Sequence, residues 1–74
     1  MSNIPALSGK KMIKALTKAN FSVIRIKGSH HFLAHPDGRK TVIPIHGNET
    51  IGKGLFAQIL RDCDLTVYEF LDLL

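Results

Sequence analysis

The dipeptide Gly28-Ser29 sits between two runs of strand-forming residues, and it constrains this chain more than any other pair of positions. Phe21 to Lys27 is rich in β-branched and aromatic side chains and reads as a strand. His30 to His35 reads as its return. Gly-X between two such runs is the signature of a two-residue type II′ turn, so the register follows from the turn. Lys27 and His30 pair directly, with Cβ atoms about 5 Å apart on one face. Arg25 pairs with Phe32 on that face. Ile24, Ile26 and Leu33 take the other face, with His31 near its end. The aliphatic face is assigned to the core, and the Arg25, Lys27 and His30 face to solvent.

The rest of the chain supplies what such a hairpin needs. Leu7-Ser8 opens a first helix: Ser8 suits the N-cap, and Leu7 can staple onto Met12. Met12, Ile13, Leu16 and Ala19 recur at helical spacing. Asn20 tolerates the left-handed conformation that ends a helix. Lys10, Lys14 and Lys18 line one exposed stripe. Pro36-Asp37-Gly38-Arg39 is a second turn, leading into a third strand from Lys40 to His46. A loop to Thr50 precedes a helix from about Ile51 to Cys63, with Leu55, Phe56, Ile59 and Leu60 as its apolar face. Thr66 and Glu69 form a capping box for a short last helix, and Leu65 can staple onto Phe70. The order is helix, three-stranded antiparallel meander, helix, helix. Covering one sheet face with the helices gives a two-layer α+β architecture.

The 74 residues suit one small domain, taken to span residues 1–74. Cys63 has no partner for an internal disulfide, which with the lack of a signal peptide points to a reducing cytoplasm. No apolar run approaches the roughly 20 residues that span a bilayer, so no membrane association is expected. A chain this short leaves little room for a deep cavity, so chemistry belongs on an open surface.

Charge is unevenly spread. Residues 1–46 hold eight Lys/Arg and one acid, whereas residues 47–74 hold two basic residues and five acids. The first part suits a polyanion.

One polyanion matches the hairpin chemically. RNA carries its own nucleophile, the 2′-hydroxyl, beside every phosphate. A catalyst need only remove the 2′ proton, neutralise charge on phosphorus and protonate the leaving 5′-oxygen. Imidazole, with an ordinary pKa of about 6.5, does such proton work near neutrality. Lys27 and Arg25 can meet the phosphoryl charge. Gly28 lets the backbone approach a phosphate, and N–H groups of the Gly28-Ser29 turn can bind it. Taken alone, each of these residues also has a plain structural reading. The turn requires Gly28, and cations deter pairing at a sheet edge.

Four histidines also raise the question of a metal. His30 and His31 are adjacent in a strand and point to opposite faces. His31 and His35 share a face but lie about 13 Å apart at strand spacing, too far for one ion. No metal or other cofactor is expected.

The order of short segments resembles a known family. Leu7-Ser8-Gly9-Lys10, Phe21 with Arg25, Gly28-Ser29-His30-His31, His35-Pro36-Asp37-Gly38, Pro44-Ile45-His46, Ile51-Gly52-Lys53-Gly54-Leu55 and Leu65-Thr66 with Glu69-Phe70 together look like the HicA/YcfA-like toxins. The resemblance implies a fold like that of a double-stranded-RNA-binding domain. It implies an endonuclease that cleaves mRNA and arrests translation, and with the histidine spacing above the cleavage is expected to need no metal. It carries the catalytic role to His30 and the turn that poses it to Gly28 and Ser29. It also implies a HicB-type antitoxin as partner. Asn20 departs from the family's frequent glycine, and the last short helix extends beyond where some members stop. His31, His46 or water is left open as the group that protonates the leaving oxygen. The alternative to an enzyme is a non-catalytic RNA-binding module, in which Lys10, Lys14, Lys18 and Lys40 recognise A-form shape and 2′-hydroxyls. A third reading is a protein-binding chain without toxicity, whose acidic helices form the interface.

Overall fold

The computed structural model of the protein describes residues 6–74. Helix α1 spans Gly9–Lys18, strand β1 Ser22–Lys27, β2 His30–Ala34 and β3 Lys40–Pro44, followed by α2 at Lys53–Cys63 and α3 at Val67–Leu71. The sheet is an antiparallel meander in the order β1-β2-β3. The two-layer α+β expectation holds. No helix among the described residues is long and apolar enough to cross a membrane.

Local chemistry sets the helix ends. Ser8 caps α1, its hydroxyl accepting from the Lys11 N–H at 3.3 Å. Asn20 takes the left-handed conformation past the helix end, with φ 71°. At α3, Thr66 and Glu69 form the reciprocal capping box. The Thr66 N–H donates to the Glu69 carboxylate at 2.8 Å and holds that carboxyl below the usual range. Asp64 ends α2 in the left-handed conformation.

The core lies between the helices and the part of the sheet near β3. Met12, Leu16, Phe21, Leu33, Ile43, Ile59, Cys63 and Phe70 are its fully buried side chains. Phe56 and Phe70 meet edge to face at 5.3 Å, which locks α3 onto α2. Ala15 joins the core although its small side chain carries little periodic signal.

The hairpin register agrees with expectation at its tip and departs from it at its base. Lys27 pairs with His30, Ile26 with His31 and Arg25 with Phe32. Gly28 has φ 60° while Ser29 keeps a negative φ, as a type II′ turn requires. Between Val23 and Arg25 the register slips, because Ile24 is an extra residue in a bulge and Val23 pairs with Leu33. The assignment of Ile24 and Ile26 to the core is therefore corrected: both are 60% exposed, and Val23 is 40% exposed. The reason is topological. β1 is an edge strand, and the helices pack against β3 at the other side of the sheet.

Both ends of the β2–β3 unit are pinned. At the far turn the Arg39 guanidinium bonds Asp37, reaches the Cys63 carbonyl and lies over the Phe21 ring at 5.1 Å. The Arg39 backbone N–H, more than its guanidinium, holds the Asp37 carboxyl below its ordinary range. Thr41, buried, donates to Asp62 on α2 at 3.0 Å. At the near end α1 begins directly against β3. A side chain at Gly9 would run into the Pro44 carbonyl and crowd Ile45 and Ile43.

Candidate active site

The near end of the sheet gathers most of the chemistry-bearing residues. Across the three strands, Lys27, His30 and Pro44 form one row, and Arg25, Phe32 and Val42 the next. These rows lie on the face away from the helices, because the alternate residues Leu33, Thr41 and Ile43 are buried beneath it. Lys27 and His30 are exposed, as expected. The Arg25 guanidinium lies 5.8 Å from the Phe32 ring centre, which steadies its aliphatic stem on the sheet. Among the described residues neither Arg25 nor Lys27 forms an ion pair, so both charges remain available to an anion.

Ser29 is the hub of this end. Its carbonyl accepts from the Ile45 N–H at 2.8 Å, extending the β2–β3 ladder one step past Pro44. The same carbonyl lies 3.2 Å from His31 Nδ1. The Ser29 hydroxyl lies 3.4 Å from His46 Nε2. Gly28 sits beside it in open space, and its positive φ rather than crowding is what demands glycine.

The four histidines thus have different surroundings. His30 is exposed in the row with Lys27. His31 is half-buried, pairs with Ile43 and turns its Nδ1 to the Ser29 carbonyl. His35 packs edge-on against Phe21 and accepts from the Asp37 N–H, at the other end of β2. His46 is exposed and touches Ser29. No three His, Cys, Asp or Glu side chains among the described residues converge as metal ligands would.

The lysines proposed for RNA are dispersed. Lys10 directly follows Gly9, at the junction with Pro44. Lys14 lines an open groove on the helical layer with Leu7, Lys11, Lys18 and Leu73. Lys40 pairs with Ala34, at the opposite end of the strands from His30. The close approach of Gly9 to Pro44 is not legible in the local sequence, beyond the presence of a glycine at the start of a helix, where other residues are better helix formers.

An α-β-β-β-α order, extended by the short α3, with one bare sheet face and a basic hairpin tip defines an α+β module of the double-stranded-RNA-binding-domain type. The family model described as the HicA toxin of bacterial toxin-antitoxin systems matches residues 9–65, and the chain belongs to that family. A HicB-type antitoxin is the partner that membership implies. No curated protein matches the chain as a relative.

Proposed function

We propose that residues 1–74 form a single RNA-cleaving domain, a metal-independent endoribonuclease that acts in the cytoplasm, cuts mRNA and so arrests translation. The observation that carries this reading is the exposed His30 imidazole paired with Lys27 across a glycine turn, in a member of a toxin family. His30 takes the proton from the 2′-hydroxyl, and the freed oxygen attacks the neighbouring phosphorus. Lys27 and Arg25 bind the phosphate and offset the charge that develops on it. Gly28 leaves its own position in the turn without a side chain and in open space, so a phosphate can approach the backbone there. Lys10, Lys14 and Lys40 extend the electrostatic reach for a long polyanion. The antitoxin silences the chain by binding it.

Controlled expression of wild type and His30→Ala in a bacterium, with mRNA integrity followed over time, tests this. Growth arrest and mRNA fragments with wild type, and neither with a folded His30→Ala, are expected. Equal arrest by both without cleavage would instead make the chain a non-catalytic RNA-binding module.

A further inference from the structure

Transesterification at an RNA phosphate involves two proton transfers, one at each end of the reacting oxygen–phosphorus–oxygen line. One imidazole serves both only by moving or by relaying through water. A second group, fixed near the first and open to solvent, removes that difficulty.

The surroundings of the histidines select that group. His31 has its Nδ1 turned to a carbonyl and its ring half-buried on the helix-facing side. His35 is engaged with Phe21 and Asp37 at the remote turn. His46 alone is both exposed and tied to the catalytic hairpin, through the Ser29 hydroxyl at 3.4 Å. Its backbone is held there too. Pro44 pairs with His30, and the Ile45 N–H is bonded to the Ser29 carbonyl, so the chain delivers His46 to the same end of the sheet. An open cleft of about 220 Å³ adjoins it, walled by Pro44, Thr50, Gly52 and Leu55.

We infer that His46 is the second proton-transfer group of this site, acting on the leaving 5′-oxygen, and that Ser29 is its positioning residue. The inference rests on the ribonuclease reading above. In the protonated ring Nε2–H donates to the Ser29 hydroxyl, which leaves Nδ1–H facing the substrate. The step balances without a co-reactant. His30 accepts the 2′ proton, the 2′-oxygen–phosphorus bond forms, the phosphorus–5′-oxygen bond breaks, and the 5′-oxygen takes its proton from His46. The products are a 2′,3′-cyclic phosphate and a free 5′-hydroxyl. Exchange with water returns His30 to the neutral form and His46 to the protonated one. The other titratable groups at this end include Lys27 on the hairpin, His31 beneath it, Lys10 and Lys11 at the start of α1, Glu49 on the loop lining the cleft and Lys53 next to Gly52.

The test replaces the leaving atom. An RNA cut by the purified wild type is resynthesised with sulfur in place of the 5′-oxygen at the mapped position, because a thiolate leaves without protonation. His46→Ala and His46→Gln are expected to lose about 10²–10⁴-fold on the oxygen substrate and to recover most of that rate on the sulfur one. They should also lose the fall in rate at high pH. Ser29→Ala should show the same pattern more weakly. His30→Ala should be slow on both substrates. Equal losses of the His46 variants on both, or no loss on either, would overturn the assignment of His46 while leaving the ribonuclease reading intact. A wild type that cuts no RNA overturns both. Exposure of His46 makes misfolding of its variants easy to check by circular dichroism, and the sulfur recovery itself requires a folded chain.

Discussion

Gly9 of α1 lies against the Pro44 carbonyl of β3 with no space for a side chain between them. Pro44 is the residue paired with His30, so the start of α1 sets the height of the strand behind the proposed catalytic row. Gly9→Ala forces the helix and strand apart. Such overpacking costs about 1–3 kcal/mol, and a thermal melt should fall by several degrees. RNA cleavage should drop more than stability alone accounts for, measured well below the melting temperature.

Cleavage should persist in excess EDTA, because no three His, Cys, Asp or Glu side chains among the described residues converge on a place an ion could occupy. It should fall in acid, where a protonated imidazole cannot accept the 2′ proton. Rates across pH with and without chelator check both points. Activity abolished by EDTA would sink the mechanism.

Lys27 and Arg25 should report on phosphate contact. Replacing Lys27 with Ala should weaken RNA binding without regard to sequence and reduce the salt dependence of affinity by about one phosphate contact. Titrations of a non-cleavable RNA at several salt concentrations read this directly. An unchanged salt slope would remove Lys27 from the interface.

The capping box of α3 should make stability sensitive to acid. Because the Thr66 N–H stabilises ionised Glu69, its carboxyl is lower in the folded state than in the unfolded one. The contribution is present above the ordinary carboxylate pKa of about 4.3 and is lost as pH falls through the folded value. Urea unfolding at neutral and at acid pH should show the difference, and Glu69→Gln should flatten it. Thr66→Ala should cost about 1 kcal/mol at neutral pH.

Cys63 should behave as an inert core residue. Burial, with Asp62 adding to it, pushes its thiol up to about 11. Its contribution is present below the ordinary thiol value of about 8.5 and is lost as pH rises through the folded value. Native protein at pH 8 should resist iodoacetamide, and denatured protein should react at once. Rapid labelling of the native chain would show that α2 opens locally.

Much of this architecture was legible because it depends on neighbours in sequence. The caps at Ser8 and Thr66, the left-handed Asn20 and the glycine turn at Gly28 are each decided within four residues. The pairing of Lys27 with His30 followed from the turn alone. What stayed hidden depends on distant partners. The slip at Ile24 arises where β1 leaves its turn, and no local signal marks it. The exposure of Ile24 and Ile26 depends on where the helices settle, beside β3. The split among the four histidines was equally invisible, since the link from Ser29 to His46 spans 17 residues.

The bulge at Ile24 has a consequence for a chain accumulating at high concentration. An exposed edge strand carrying Val23, Ile24 and Ile26 is the kind of segment that recruits a second copy and grows fibres. The extra residue bends the row of free N–H and C=O groups, so a straight partner strand cannot zip along its length. Arg25 and Lys27 add like charge to every copy that approaches edge to edge. The irregularity that frustrates simple alternation thus works against edge-to-edge self-assembly, and it does so while leaving the open face of the sheet uncovered.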